Sequence, residues 1–245
     1  KVAEVFKAHR AAETQLHADE DRLQFQPDLS PLASELQERA RTGDSDAAFT
    51  LAKLYQACAA ALMAQQHAAE LERFMDGMRV MDISDAEVTA IRGQFDALKR
   101  RCDKFAAGPV LAAMSATWMA RARELGHPGA RLQQKPPSSP FSSPERAEYE
   151  RLNRQAGIAV LQARNSWDLA RYSEALTRHS PYAADAFLFA ACQLNEACAA
   201  DPGAWSLNRA GLWILDGDGA SLMNLRNLAP RRRLIVEGQA AELVR

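Results

Sequence analysis

Residues 45–62 read SDAAFTLAKLYQACAAAL, and this stretch decides the fold class. Within it, the apolar side chains Leu51, Tyr55, Cys58 and Leu62 recur at steps of four, three and four residues. That spacing places them on one face of an α-helix. The pattern therefore predicts a helix that begins at Asp44 or Ser45 and turns this face to the core.

The same periodicity follows twice more along the chain. The apolar positions of these two stripes are Ile91, Phe95, Leu98, Cys102 and Phe105, and then Leu111, Met114, Trp118, Ala122 and Leu125. A capping box from Ser84 to Glu87 precedes the first stripe. Gly108-Pro109 precedes the second, which ends at Gly126-His127-Pro128. Each stripe predicts one helix.

Capping residues predict the remaining helices. Ser30 followed by Pro31 is typical of an N-cap, and Gly43 is a natural C′ residue. Ser143-Pro144 predicts a helix to about Ala163. Residues 1–22 suggest a long exposed helix or a frayed arm. Further helices are expected after Asn165 or Ser166, after Ser180-Pro181, and around residues 205–215, 220–228 and 236–244.

Composition agrees with a helical protein and narrows the function. Alanine and leucine dominate, whereas β-branched residues are scarce, which favours helices over a sheet. A formal net charge of −1 argues against binding nucleic acid by phosphate neutralisation. No apolar stretch approaches the roughly 20 residues that span a bilayer. The chain opens at Lys1, so we expect a mature chain or one trimmed of a targeting segment or N-terminal anchor.

A proline- and serine-rich stretch predicts the domain organisation. Residues 135–144 read KPPSSPFSSP, which cannot be helical. The sequence thus predicts an N-terminal helical subdomain over 1–134, a linker or loop over 135–144, and a C-terminal helical subdomain over 145–245. The predicted fold class is all-α, with antiparallel helical pairs that form a repeat-like α-solenoid fragment plus the C-terminal helices.

The four cysteines predict two disulfides. Cys58 and Cys102 each belong to the apolar stripe of a predicted helix, so both should face one core. Their loop of about 44 residues would restrict the unfolded chain by roughly 4 kcal/mol. The alternative is two unlinked buried cysteines. Cys192 and Cys198 are six residues apart, so a bridge between them requires a helix that ends before Cys198.

Two disulfides imply an oxidising compartment. We therefore expect export to a bacterial periplasm or envelope. The chain lacks the Cys-x₂-Cys and His-x₃-His pairs of a zinc site. The segment from Asp216 to Gly219 lacks the further ligands of a calcium loop, and His127 is interpreted as a turn residue. We predict no catalytic residue, metal or cofactor.

Two segments resemble the SEL-one-like repeat, a helix-turn-helix relative of the tetratricopeptide repeat. One runs from Gly43 through Ala47 and Ala48 to Leu51, Leu54 and Tyr55; the other runs from Trp118 through Leu125 and Gly126 to Ala130. The two glycines are 83 residues apart, about twice a normal repeat, so the resemblance covers residues 31–134 only partially. It implies stacked helical pairs that bind another protein.

The segment from Ala190 to Cys198 also resembles uncharacterised exported proteins of xanthomonad-type bacteria, although Asn195 replaces an expected glycine. Together these features predict an exported protein-binding module, such as an envelope inhibitor or immunity protein that blocks a secreted antibacterial effector. One alternative is a helical envelope enzyme, such as a peptidoglycan-cleaving enzyme with a single acidic residue. Another is a cytosolic adaptor with free thiols.

Overall fold

The computed structural model describes residues 18–19, 22–23, 26–66, 85–134, 137–139, 142–163 and 190. Over these ranges the protein is all-α, as predicted, and contains no strand. Its helices are α1 (Ser30–Arg41), α2 (Ser45–Gln66), α3 (Asp85–Arg101), α4 (Gly108–Glu124), α5 (Pro128–Leu132) and α6 (Pro144–Ala163). They belong to two compact units, the first with α1 to α4 and the second with α5 and α6.

The start of α1 differs in detail from the prediction. Ser30 is the first helical residue, with Pro31 in the first turn, and the preceding Leu29 makes no side-chain cap. Asp28 supplies the acceptor instead, since its Oδ1 receives the Ser30 N–H at 3.0 Å and the Ser30 hydroxyl at 2.6 Å. The helix therefore begins after a turn in which Asp28 accepts both hydrogen bonds, and Ser30 does not act as the N-cap.

The turn between α1 and α2 has the geometry that its glycine predicts. Gly43 has a φ of +101°, in the left-handed region. Its N–H donates to the Ala40 carbonyl at 3.2 Å, and the Asp44 N–H donates to the Arg39 carbonyl at 3.1 Å. These two bonds are a Schellman motif. Asp44 then caps α2, because its Oδ1 accepts the Ala47 N–H at 2.9 Å.

Helix α2 is the centre of the first unit. The stripe predicted one buried face, but every residue over 47–55 is buried, including Thr50 and Lys53. The alanines on the other faces are small enough to be covered by neighbouring helices, and α2 packs against α1, α3 and α4. The burial pattern is that of a helix enclosed within a core rather than one at its edge.

Helices α2 and α4 run antiparallel at close range. Gly108, at the start of α4, lies against Ala59 and Met63 of α2. About two turns farther along α4, the buried Ser115 hydroxyl donates to the Ala52 carbonyl at 2.8 Å. Positions thus rise along one helix as they fall along the other. Small residues at the contact let the two backbones approach.

Gly108→Ala is expected to lower the free energy of unfolding by about 1–3 kcal/mol. A Cβ there would lie 2.5 Å from Met63 Cγ and 3.0 Å from the Ala59 carbonyl oxygen, so α2 and α4 would have to separate. Gly93→Ala is the control, since a Cβ at that α3 position meets no atom within 4 Å. We expect the control to gain about 0.5–1 kcal/mol. Urea unfolding curves that shift equally for both variants would contradict this account.

The second unit contains α5 and α6. His127 is buried and serves as the N-cap of α5, as its interpretation as a turn residue suggests: its Nδ1 accepts the Ala130 N–H at 3.2 Å. Ser143 caps α6 through the Arg146 N–H at 3.1 Å, and α6 ends at Ala163. The Tyr149 hydroxyl donates to the Gln134 carbonyl at 2.9 Å, which ties α6 to the end of α5.

Several predictions fall partly or wholly outside the described residues. In the described part the two units divide between Leu125 and Gly126, and the linker over 135–144 stays a prediction. The repeat-like stacking of helical pairs stays one as well. The helices expected after Asn165 and Ser180, those over 205–244, the Asp216–Gly219 turn and most of residues 1–22 lie outside. So does Ser84, and the described residues resume at Asp85 within α3, so the capping box stays a prediction.

Candidate functional site

The predicted disulfide between Cys58 and Cys102 is present. The two Cα atoms are 5.5 Å apart, and neither residue is exposed to solvent. The prediction placed Cys102 inside a helix that continued to Phe105, but α3 ends at Arg101. Cys102 lies in the following turn, where its N–H donates to the Leu98 and Lys99 carbonyls at 3.1 and 3.0 Å. The bond therefore fixes the end of α3 to the middle of α2.

Arg101, next to this disulfide, holds a distant part of the chain. Its Nε donates to the Gln26 carbonyl at 2.6 Å, and its Nη2 donates to the Leu23 carbonyl. Its own carbonyl accepts the Leu29 N–H at 3.2 Å. Burial lowers the pKa of Arg101 to about 10, so the guanidinium stays charged at neutral pH. It satisfies carbonyls where a helical turn ends, a favourable position for a cation.

Lys104 adds an ion pair to the same segment. Its Nζ lies 2.6 Å from Asp28 Oδ2. The hydrogen bond from Lys104, with those from the Ser30 hydroxyl and N–H, holds the pKa of Asp28 well below its usual range. We use the name "N-terminal clamp" for the turn after α3 and the segment that it holds, namely Arg101, Cys102 and Lys104 with Leu23, Gln26, Asp28 and Leu29.

The Asp28–Lys104 pair should make the clamp sensitive to acid. Because the folded-state pKa of Asp28 lies below its unfolded value, the pair stabilises the fold above about pH 4 and loses this effect as the pH falls through the folded value. We expect wild type to be more stable than Asp28→Asn at pH 7, with the difference shrinking below about pH 4. Urea unfolding across this range tests the prediction, which a pH-independent difference would contradict.

A charge network joins the N-terminal segment to α1. Arg39 Nη1 lies 2.6 Å from Asp19 Oδ2, and its Nε donates to Asp44 Oδ2 at 2.9 Å. Burial opposes the charge on Arg39, but the bonds to the two aspartates outweigh it and raise its pKa. Arg22 Nη2 lies 2.8 Å from Glu35 Oε2, which raises the pKa of Arg22 and lowers that of Glu35. Asp19 is buried, although residues 1–22 were expected to form a long exposed helix or a frayed arm.

One side of α4 is exposed and uncharged. We name it the α4 outer face; its exposed residues are Pro109, Val110, Ala112, Ala113, Ala116 and Thr117. The sequence contains no charged residue between Lys104 and Arg121. Val110 is 51% exposed, which is high for a large apolar side chain. Depletion of charge is typical of the core of a protein–protein interface.

Three further features are the second cysteine pair, groups of metal ligands and membrane-spanning helices. Cys192 and Cys198 lie outside the described residues, so their bridge stays a prediction. Within the described ranges, no group of three or more His, Cys, Asp or Glu residues is placed to hold a metal ion. No described helix is long and apolar enough to cross a membrane.

A peptidoglycan-cleaving enzyme that uses one glutamate as its acid needs that glutamate to have a raised pKa. Glu35 and Glu148 instead have lowered pKa values, because Arg22 and Arg151 respectively hydrogen-bond their carboxylates. A carboxylate of this kind stays ionised at neutral pH and is a poor general acid. These two residues therefore do not suit the role, and the enzyme alternative stays a prediction.

Sequence patterns did not predict Arg101, Asp19 or Arg39 as important residues. Arg101 contacts Gln26, 75 residues earlier, and Arg39 contacts Asp19, 20 residues earlier. Residues this far apart in sequence form no local pattern from which their contact could be predicted. The cap at Asp44 agrees with the predicted helix start at Asp44 or Ser45, since an Asx residue before an alanine-rich helical run is typical of an N-cap.

Compared with protein-family models, curated proteins and solved structures, the chain has no significant match.

Proposed function

We propose that this chain is an exported protein-binding module, and more specifically an envelope-located inhibitor or immunity protein that blocks a secreted antibacterial effector. The observation that carries the proposal is the α4 outer face, an exposed helical surface without charge. The opposite side of this helix packs closely on α2 through Gly108 and Ser115. A preorganised surface loses little conformational entropy on binding.

The disulfide supports the proposed location. A disulfide persists in the periplasm and beyond, whereas cytosolic thiols are kept reduced. Both cysteines of the Cys58–Cys102 pair are buried, which is the setting of a structural bond. Alkylation of the purified chain under denaturing, non-reducing conditions tests this: four reactive thiols would remove the argument for export and favour the cytosolic adaptor.

Paired charge substitutions test the binding surface. Ala113→Glu together with Ala116→Glu places two carboxylates on the α4 outer face while keeping good helix formers. The matched control is Ala147→Glu with Gln155→Glu on the exposed side of α6. We expect the periplasmic protein that copurifies with wild type and control to bind the α4 variant about tenfold or more weakly.

The outcomes of this experiment separate the proposals. Recovery of no stable protein partner from periplasm under native conditions would count against a binding module. Equal binding by the wild type and the α4 variant would move the interface elsewhere on the chain. Release of soluble fragments from purified peptidoglycan by the wild-type chain would support the envelope enzyme instead.

A further inference from the structure

The N-terminal clamp concentrates its polar contacts around one cysteine. The bonds from Arg101 to Leu23 and Gln26, and the ion pair from Lys104 to Asp28, all come from residues within two positions of Cys102. The position of this turn therefore decides whether those donors reach the N-terminal segment.

The disulfide sets the position of that turn. Cys102 follows the last residue of α3 and is bonded to Cys58 in the enclosed helix α2. The residues around it are open to water, with Arg100, Asp103 and Lys104 exposed. Phe105 contacts Tyr55 edge to face, with ring centroids 6.0 Å apart. The disulfide is a covalent crosslink between the clamp and the enclosed helix α2.

We propose that the Cys58–Cys102 disulfide is coupled to the contacts that hold Leu23, Gln26, Asp28 and Leu29 against Arg101 and Lys104, so that these N-terminal residues are held in the oxidised chain and released in the reduced one. Coupling of this kind is reciprocal: if oxidation favours docking, then docking favours oxidation by the same factor. The inference holds whether or not the α4 outer face binds a partner.

The reduction that releases the segment involves a dithiol reductant. A thiolate of the dithiol attacks Cys58 or Cys102, breaks their S–S bond and forms a mixed disulfide with the attacked sulfur. The second thiol of the reductant then displaces that sulfur. The chain gains two electrons and two protons to give two thiols, and the dithiol becomes a disulfide. Since neither cysteine is exposed, the clamp region must open before the reductant reaches the bond.

Hydrogen exchange measures how removal of the disulfide affects the contacts of the N-terminal residues. In the folded chain the Leu29 N–H donates to the Arg101 carbonyl. In Cys58→Ala/Cys102→Ala we expect the Leu29 amide to exchange about tenfold faster than in oxidised wild type, within the range of ordinary coupling. Amides of α6 in the second unit should be unchanged and serve as the internal control. An unchanged Leu29 amide in the folded variant would overturn the proposal.

A second experiment changes the clamp instead of the disulfide. The variant starts with its disulfide intact, and the measured quantity is how readily that bond is reduced. Arg101→Gln is equilibrated in a dithiol redox buffer, and alkylation at Cys58 and Cys102 is read by peptide mass spectrometry. We expect the reduced-to-oxidised ratio of this pair to rise about fivefold or more. Arg100→Gln, at the exposed neighbouring position, should match wild type. Identical ratios for Arg101→Gln and wild type would overturn the coupling, even where the cysteine-free variant fails to fold.

Discussion

Replacing both Cys58 and Cys102 by alanine is expected to lower the free energy of unfolding by about 4 kcal/mol. The pair lies 44 residues apart in sequence, so the bond removes much of the freedom that the unfolded chain would otherwise have. Urea unfolding followed by circular dichroism measures the loss. The unfolded variant should also expose more surface, which would steepen the dependence of stability on urea concentration.

Unfolding in the presence of a dithiol reductant provides the control for this variant. Under those conditions the wild type also unfolds without the Cys58–Cys102 bond, and Cys192 and Cys198 experience the same reductant in both proteins. The difference in free energy of unfolding should therefore nearly vanish. A difference that persists with reductant would show that lost packing of the two buried sulfur atoms, rather than the crosslink, sets the stability.

Arg39→Met should cost about 3 kcal/mol of stability, because it removes the cation that lies 2.6 Å from the buried Asp19 carboxylate. We place the effect at the lower end of the range for broken buried pairs. The reasons are that the Arg39 side chain is 25% exposed to solvent and that a second cation, Arg22, lies 3.9 Å from the Asp19 carboxylate. Thermal or urea unfolding of the variant gives the value.

Three further variants isolate the ion pair: the single variant Asp19→Asn, the double variant with Arg39→Met, and a surface control. Arg39→Met/Asp19→Asn also removes the Asp19 charge, so the double variant should be more stable than the sum of the two single losses implies. Arg41→Met is the surface control, since that side chain is 62% exposed and 3.8 Å from Glu38. Its effect should stay within about 0.5 kcal/mol. Additive losses in the double variant would show that Arg39 acts mainly by packing.

The parts of the fold that sequence predicted well are those with local signals. Gly108-Pro109 and Gly126-His127-Pro128 mark the ends of α4, and Gly43 marks the turn before α2. The helical phase of Cys58 and Cys102 sufficed to predict their bond, although α3 ends earlier than expected. No glycine or proline follows Cys102 until Gly108, so the apolar stripe through Phe105 suggested a longer helix.

The remaining features depend on contacts that are distant in sequence. Large residues reveal a stripe, but alanines such as Ala48 and Ala59 are equally compatible with an exposed or an enclosed helix. The burial of α2 on all sides therefore required the tertiary structure. The same holds for the N-terminal clamp, whose donors and acceptors come from positions more than 70 residues apart. Charge along the chain likewise gave no indication that Asp19 is buried.

The enclosure of α2 also limits how such a protein can diverge in evolution. Over residues 47–55 a substitution of any side chain alters the interior, and most such changes cost stability. Exposed positions such as Val110, Ala113 and Ala116 carry no such constraint. A lineage under pressure to follow a changing partner could thus vary the outer residues of α4 while α2 stays fixed. Divergence among descendants of this chain should accumulate on that side.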